Sequence, residues 1–205
     1  MTSNQSPTLA LLGGAPVRGP EKKWPAWPVF DDTERTALLD VFNSGQWFYG
    51  DRVKRFEAEY AAFQDAKHCI SCTSGTTALE IVYHALGIGP GDEVIIPPYS
   101  FIATASSVMR VGATPIFADI DEWWCLDPER VEEAITPRTK AIVPVHFGGH
   151  VCDMDRMRDI ALRHGLFLIE DACHSWGGKW EGKGTGALGL CGVFSVERAA
   201  RLSGG

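Results

Sequence analysis

The sequence has no long hydrophobic run, no basic tract, no internal repeat and no low-complexity segment. No stretch approaches the roughly 18 consecutive apolar residues that a membrane-spanning helix needs, and the polar start at Met1–Gln5 does not resemble a signal peptide. The formal charge of −7, with no basic tract against it, argues against nucleic acid or an anionic membrane as a partner. We therefore expect a cytoplasmic protein that binds small molecules or other proteins.

Cysteine is too sparse for a disulfide framework, because six cysteines are spread over 205 residues in mostly apolar surroundings. This distribution favours reduced thiols in a protein core. Cys69 and Cys72 have the spacing of a zinc-ligand pair, but a second pair at the usual spacing is missing. We therefore favour ordinary thiols over a metal site.

The chain is long enough, and at 45% hydrophobic apolar enough, to bury one sizeable core. From Cys69 onward, short apolar runs alternate with helix-like segments, which is typical of a parallel sheet. We predict strands at residues 68–72, 93–97, 114–117, 140–145, 167–170 and 191–194, and helices at 76–86, 101–111, 128–134 and 154–164. The predicted fold class is α/β, with a mostly parallel, doubly wound sheet.

The first 30 or so residues precede this pattern, and repeated glycine and proline predict an irregular arm there. We expect the tryptophans of the arm, Trp24 and Trp27, to pack against other residues. Asp31 and Asp32 predict the capped start of a helix that ends near Gly45. A second amphipathic helix is predicted from Asp51.

The apolar run 167–169 is followed directly by Glu170 and Asp171, and then by His174. Such a run is typical of a strand covered on both faces, and ligands of open α/β sheets bind just past the carboxyl ends of such strands. A carboxylate there is poor in solvent and needs a cationic partner, such as the protonated ring nitrogen of a cofactor. The alternative is that Asp171 only caps the next helix.

Two further strand ends carry ligand-binding features at the same predicted edge. Gly75 lets the backbone approach a ligand closely, and it opens a helix whose free amides favour an anion such as phosphate. This turn matches neither the dinucleotide fingerprint nor the P-loop, and an ordinary capped helix start is the alternative. Tyr99 and Phe101 follow the next strand, where an aromatic side chain either stacks on a flat ring or belongs to the core.

An anion site, a stacking aromatic and a buried carboxylate together describe a pocket for a flat, phosphorylated, cationic aromatic ring. Pyridoxal 5′-phosphate (PLP) has these properties. A carboxylate that keeps its pyridine nitrogen protonated lets the ring accept electrons.

The motifs resemble those of the DegT/StrS family of fold type I PLP-dependent enzymes, which comprises sugar aminotransferases and aminohydroxybenzoate synthases. The resemblance extends over residues 8–195. It rests on SGTTAL at 74–79, GPGDEVI at 89–95, SF at 100–101, TPRTK at 136–140, PVH at 144–146, DMD at 153–155, EDACH at 170–174 and GVFS at 192–195. It implies an arm at residues 1–30, an incomplete PLP-binding large domain at 31–205 and no small carboxyl-terminal domain.

The resemblance also implies how PLP would be held. The contacts would be the amides of Gly75 and Thr76 and the side chain of Ser195 at the phosphate, Phe101 stacked on the ring, Asp171 at the pyridinium nitrogen and His174 near the ring hydroxyl.

One position departs from the family pattern. The family has a Schiff-base lysine five residues after the serine of its Phe-Ser pair, where this chain has Ala200, and residues 195–205 contain no lysine. That lysine bonds the cofactor and moves a proton, which neither alanine nor the permanently protonated Arg201 can do. We therefore expect no catalytic residue in this chain, and we expect a frameshifted or truncated reading frame as the cause.

The resemblance implies a homodimeric aminotransferase that transfers an amino group from glutamate or glutamine to a keto-sugar nucleotide or a related secondary-metabolite intermediate. The aromatic loop at residues 47–49 either lines the substrate side or forms a satellite cluster. Ala200 implies that the chain itself is a catalytically dead remnant with weak or lost PLP binding, or a non-enzymatic regulatory fragment. We also expect poor solubility, because an incomplete domain exposes apolar surface.

Overall fold

The computed structural model describes residues 8–16, 18–19, 21–24 and 28–196, so Ala200 lies outside the described residues. The chain divides into two compact units between Phe48 and Tyr49. The expected boundary at residue 30 falls inside the first unit, and the division into arm and large domain stays a prediction.

The first unit contains a short 3₁₀ turn at Ala10–Leu12 and helix α1 at Asp32–Ser44. The predicted cap is present: Asp31 accepts a hydrogen bond from the Thr33 amide at 2.7 Å, and Glu34 accepts one from the Asp31 amide at 2.8 Å. Gly45 ends the helix in a left-handed conformation, with φ of 67°. The helix therefore begins and ends where the capping residues predict.

Trp24 of the arm packs against Arg18, although most of its side chain is exposed. Its side chain is 78% exposed, and the Arg18 guanidinium carbon lies 3.7 Å from the ring centroid. A cation over an aromatic face is attracted to the ring, and this contact leaves much of the ring exposed to solvent. Trp27 lies outside the described residues.

The second unit is built on a five-stranded sheet with the strand order β2-β1-β3-β4-β7. The strands of the unit are β1 Glu93–Ile96, β2 Thr114–Phe117, β3 Thr139–Ile142, β4 Phe167–Asp171, β5 Lys179–Trp180, β6 Lys183–Gly184 and β7 Cys191–Val193. Every neighbouring pair in the large sheet is parallel, while β5 and β6 form a separate antiparallel hairpin.

Helices cover both faces of this sheet. They are α2 Asp51–Phe63, α3 Gly75–Ala85, α4 Ile102–Arg110, α5 Pro128–Ala134 and α6 Met154–His164. Alternate residues of β1 point to opposite faces: Val94 packs in a cluster with α3 and α4, and Ile95 packs in a cluster with α5 and α6. The predicted α/β fold with a parallel, doubly wound sheet is confirmed.

The predicted first strand at residues 68–72 is wrong. This segment pairs with no described strand and is irregular. Glu57 of α2 holds it instead, because the Glu57 carboxylate accepts hydrogen bonds from the amide and the hydroxyl of Ser71, both at 2.8 Å. An apolar run forms a strand only where a neighbouring strand pairs with its backbone N–H and C=O groups.

The end of α2 is joined to a distant part of the chain through the buried side chain of Gln64. Its Nε2 donates to the Thr185 carbonyl at 3.0 Å, and its Oε1 accepts from the Gly177 amide at 3.0 Å. A buried amide side chain therefore finds both its donor and its acceptor partners in one loop region.

The strand order creates a crevice at one edge of the sheet. Strand β1 lies between β2 and β3, so the connection from β1 runs to one side of it and the connection from β2 crosses back to the other side, at β3. Ligands of such sheets bind at the carboxyl ends of the strands beside this switch point. Within the described residues, no helix combines the length and the apolar character needed to span a bilayer.

Candidate functional site

A cavity of about 200 Å³ opens at the carboxyl ends of the sheet strands. Its wall includes all six residues predicted to hold PLP: Gly75, Thr76, Phe101, Asp171, His174 and Ser195. These residues come from the start of α3, the turn before α4, the end of β4 and the segments after β4 and β7. The structure thus brings the six together, while their individual roles stay predictions.

Asp171 presents a buried carboxylate to this cavity. The residue is 4% exposed, its Oδ2 accepts a hydrogen bond from the Thr104 hydroxyl at 2.9 Å, and its Oδ1 accepts one from the Cys173 amide at 3.3 Å. Both donors are neutral, so a cationic group in the cavity would be favourable beside this carboxylate. No helix begins within residues 172–178, so Asp171 does not cap the next helix.

The backbone of Asp171 is fixed on both sides. Its amide donates to the Pro144 carbonyl at 2.9 Å, and its carbonyl accepts from the His146 amide at 3.1 Å. On the other side, Asp171 is in register with Val193 of β7. Because the backbone is paired, the Asp171 carboxylate can move mainly by rotation about its side-chain bonds.

Glu170 points away from the cavity, and its role is structural. Its carboxylate accepts hydrogen bonds from three amides of residues 186–189 at 2.6 to 2.7 Å and lies 3.0 Å from His146 Nε2. The Cys152 amide donates to His146 Nδ1 at 3.2 Å, so Nδ1 carries no proton and Nε2 donates to Glu170. Of the two adjacent acids, only Asp171 faces the cavity, because successive strand residues face opposite sides.

The start of α3 has the features of an anion site. Ser74 caps the helix by accepting from the Thr77 amide at 3.1 Å, and the first intrahelical bond runs from the Ala78 amide to the Ser74 carbonyl. The amides of Gly75 and Thr76 therefore precede the helical hydrogen-bond ladder and favour an anion.

Gly75 also lies against the other wall of the cavity. A Cβ atom at this position would lie 3.0 Å from Cys173 Sγ and 3.1 Å from Ser195 Cβ. These distances are tighter than ordinary van der Waals contact. Glycine therefore allows the helix start, Cys173 and Ser195 to meet around one small space.

Phe101 is the N-cap residue of α4 and is 62% exposed. The alternative that it belongs to the helix core is therefore wrong, and its ring is accessible for stacking. Tyr99 lies nearby in sequence and contacts the rings of Trp124 and Phe147, with centroid distances of 4.7 and 4.9 Å. Phe147 in turn meets His174 edge-on at 5.5 Å, so a row of aromatic rings adjoins the cavity.

Sequence reasoning missed several residues of the cavity wall, among them Thr104 and Cys173 as individual contributors. Burial, and secondarily the nearby Asp171, raises the pKa of the Cys173 thiol far above its ordinary value. The thiol is therefore neutral and unreactive. Among the described residues, no group of three or more His, Cys, Asp or Glu side chains is arranged to hold a metal ion.

The cavity fits a PLP-like group on observations of the chain alone. A helix start suits the phosphate, an accessible aromatic ring suits the flat heterocycle, and a buried carboxylate with neutral donors suits a protonated ring nitrogen.

Comparisons with known proteins agree with this description. Residues 28–200 match the model of the DegT/DnrJ/EryC1/StrS aminotransferase family. The chain is 43% identical over 209 residues to the L-glutamine:2-deoxy-scyllo-inosose aminotransferase of Streptomyces kanamyceticus, an alignment that covers 98% of this chain and 48% of that protein. The chain thus spans about half the length of the curated relatives it matches.

Solved structures give the same result. The crystal structure of 3-amino-5-hydroxybenzoic acid synthase superposes with a TM-score of 0.83 at 43% identity, covering 85% of this chain and 46% of that one. The PLP form of a putative sugar aminotransferase from Streptococcus pneumoniae superposes with a TM-score of 0.80 at 30% identity, covering 83% and 47%. The chain therefore belongs to the DegT/DnrJ/EryC1/StrS aminotransferase family.

Proposed function

We propose that this chain is the cofactor-binding half of an aminotransferase and that its cavity holds PLP, or the amine form pyridoxamine 5′-phosphate, without a covalent bond. The observation that carries the proposal is the Asp171 carboxylate, which is buried in the same cavity as the start of α3 and the accessible ring of Phe101. The substrate class is a keto-sugar nucleotide or a related secondary-metabolite ketone, with glutamine or glutamate as amino donor. The names of two relatives support this class, because one is an L-glutamine:2-deoxy-scyllo-inosose aminotransferase and the other is a 3-amino-5-hydroxybenzoate synthase.

Each residue of the site has one task in this proposal. The amides of Gly75 and Thr76, with Ser195, bind the phosphate, and Phe101 and His174 position the ring. Asp171 holds a proton at the ring nitrogen. When bound, PLP supplies the electron sink on which amino-group transfer depends.

Ala200 is the reason why we propose that the chain has no aminotransferase activity. Alanine has no group that can bond a cofactor or move a proton, so we propose that the chain, as its sequence stands, binds the cofactor but does not catalyse transfer. We further propose that the family assembly is a cytoplasmic homodimer in which the loop at residues 47–49 lines the substrate side.

Titration of the purified chain with pyridoxamine 5′-phosphate tests the cofactor site. Absorbance and calorimetry measure the binding affinity during the titration. Asp171→Asn should weaken binding by at least about tenfold, because it removes the charge that faces the ring nitrogen. Asp155→Asn is the matched control, since Asp155 is on α6 in a half-exposed pair with Arg158. Equal affinity of the Asp171→Asn variant and the unsubstituted chain would contradict the proposal.

Borohydride treatment of the chain mixed with PLP tests the absence of a covalent bond. Peptide mass spectrometry should find no stable cofactor adduct near residue 200, because residues 184–205 contain no lysine. A specific adduct at Lys179 or Lys183 that depends on Asp171 would show that another lysine replaces the missing one.

A further inference from the structure

Two hydroxyl groups at the start of α4 form a chain of hydrogen bonds that ends on Asp171. Ser100 Oγ lies 2.8 Å from Thr104 Oγ1, and Thr104 Oγ1 lies 2.9 Å from Asp171 Oδ2. Ser100 directly precedes the N-cap residue of α4, and Thr104 is in the first turn of the helix, so the turn before α4 brings the two hydroxyls together. Both residues also line the cavity.

The donor and the acceptor of each hydrogen bond follow from the number of hydroxyl protons available. Thr104 has one hydroxyl proton and donates it to the Asp171 carboxylate oxygen. The bond between Ser100 and Thr104 must therefore use the proton of Ser100, with Thr104 accepting. The donors thus run from Ser100 to Thr104 to Asp171.

This arrangement fixes the plane of the Asp171 carboxylate. One oxygen is held by the Thr104 hydroxyl, and the other is held by the Cys173 amide at 3.3 Å. Thr104 is 2% exposed and Asp171 is 4% exposed, so bulk water has little access to replace the hydroxyl. Loss of a buried donor to a carboxylate is more damaging than loss of an exposed one.

We propose that Thr104 is a positioning residue for the ring nitrogen of the cofactor, acting through Asp171, and that Ser100 supports it as the preceding donor. This inference rests on the proposed cofactor site. Thr104 holds the carboxylate in the orientation that meets the ring nitrogen, so its hydroxyl determines both the affinity for the ring and the protonation of that nitrogen.

Binding of pyridoxamine 5′-phosphate labelled with ¹⁵N in the ring tests the proposal, because this ligand needs no lysine. Thr104→Val keeps the shape of the side chain and removes the hydroxyl. It should weaken binding about tenfold and move the ring ¹⁵N signal towards that of the unprotonated nitrogen. Thr104→Ser restores the hydroxyl and should stay within about twofold of the unsubstituted chain in affinity, with the same ring signal.

Ser107→Ala is the matched control for removal of a buried hydroxyl from α4. The Ser107 hydroxyl donates to the Thr104 carbonyl at 3.2 Å and has no hydrogen bond with Asp171. Its removal should leave the affinity and the ring signal unchanged. Ser100→Ala should give a smaller loss than Thr104→Val in both measurements, because it removes the supporting donor only.

The outcomes separate this inference from the proposed function. If the unsubstituted chain does not bind the ligand, both are overturned. If it binds and Thr104→Val has the same affinity and ring signal, or if Thr104→Ser is as impaired as Thr104→Val, this inference alone is overturned. If circular dichroism shows that Thr104→Val does not fold, Ser100→Ala decides, and an unchanged ring signal in that variant overturns the inference.

Discussion

Gly75 shows how a single missing side chain shapes the pocket. Its backbone does not need a left-handed conformation, so alanine is acceptable to the backbone there. The constraint is space, because an added methyl group would press on Cys173 and Ser195. Substitution of Gly75 by alanine should therefore affect ligand binding with less effect on folding than substitution of a glycine in a left-handed conformation.

We predict that Gly75→Ala folds but binds pyridoxamine 5′-phosphate at least about tenfold more weakly, because the methyl group occupies the anion site and shifts its neighbours. Calorimetric titration measures the affinity, and circular dichroism checks the fold. Gly89→Ala is the control, since an added Cβ there would lie 3.6 Å from the Val111 carbonyl, an ordinary contact outside the cavity. Unchanged affinity in Gly75→Ala would place the phosphate elsewhere.

The sequence predicted Asp171 but not Thr104, and the difference has a physical reason. An acid that directly follows an apolar run must lie at the end of a buried strand, so local pattern is enough to place it. The bond between Thr104 and Asp171 joins residues 67 positions apart. Its existence depends on how α4 is rotated against the sheet, which local pattern does not specify.

At the level of elements, β1 is held at its start by Glu93. The Glu93 side chain is 4% exposed and accepts hydrogen bonds from Thr136 and Arg138, including one from Arg138 Nε at 2.9 Å. The hydrogen bond from Thr136, followed by the hydrogen bond and charge of Arg138, lowers the pKa of Glu93 below its ordinary value of 4.5. Glu93 thus fastens β1 to the turn before β3.

We predict that Glu93→Gln lowers the melting temperature by a few degrees at neutral pH. Because the folded-state pKa is depressed, the stabilisation is fully present above pH 4.5 and is lost as pH falls through the lower folded value. The difference between the variant and the unsubstituted chain should therefore shrink at acid pH in thermal melts. Glu133→Gln, in an exposed pair with Arg130, should have little effect at any pH. A difference in melting temperature between Glu93→Gln and the unsubstituted chain that does not change with pH would contradict a stabilising role of the ionised Glu93 carboxylate.

The sheet was predictable because its strands are short apolar runs, of which β1 and β4 are almost wholly buried. Strands β1, β2, β3, β4 and β7 all lie within the predicted ranges or one residue beyond them. The segment at residues 68–72 is less apolar, its Ile70 is 81% exposed, and it lacks a paired neighbour among the described strands. The hairpin of β5 and β6 was missed because two residues per strand are too few to show an alternating pattern.

At the level of the whole molecule, the first unit exposes large apolar side chains, among them several on α1. Leu38 is 72% exposed and Phe42 is 65% exposed, and α1 has no buried residue. Exposed apolar patches of this kind promote association between protein molecules.

We predict that the chain self-associates through this patch, giving a sedimentation coefficient that rises with concentration. Leu38→Lys combined with Phe42→Lys should reduce the association, because it places two charges on the apolar surface. Leu162→Lys is the control, since Leu162 is 80% exposed on α6. A monomeric unsubstituted chain, or an equal effect of Leu162→Lys, would contradict the prediction.

The bond between Gln64 and Thr185 also bears on how the protein is made. The two residues are 121 positions apart, so at about 5 to 20 residues per second the ribosome needs roughly 6 to 24 s to supply the partner of Gln64. Helix α2 is therefore synthesised well before its C-cap residue can reach its protein partners, and the Gln64 amide is bonded to water during that interval.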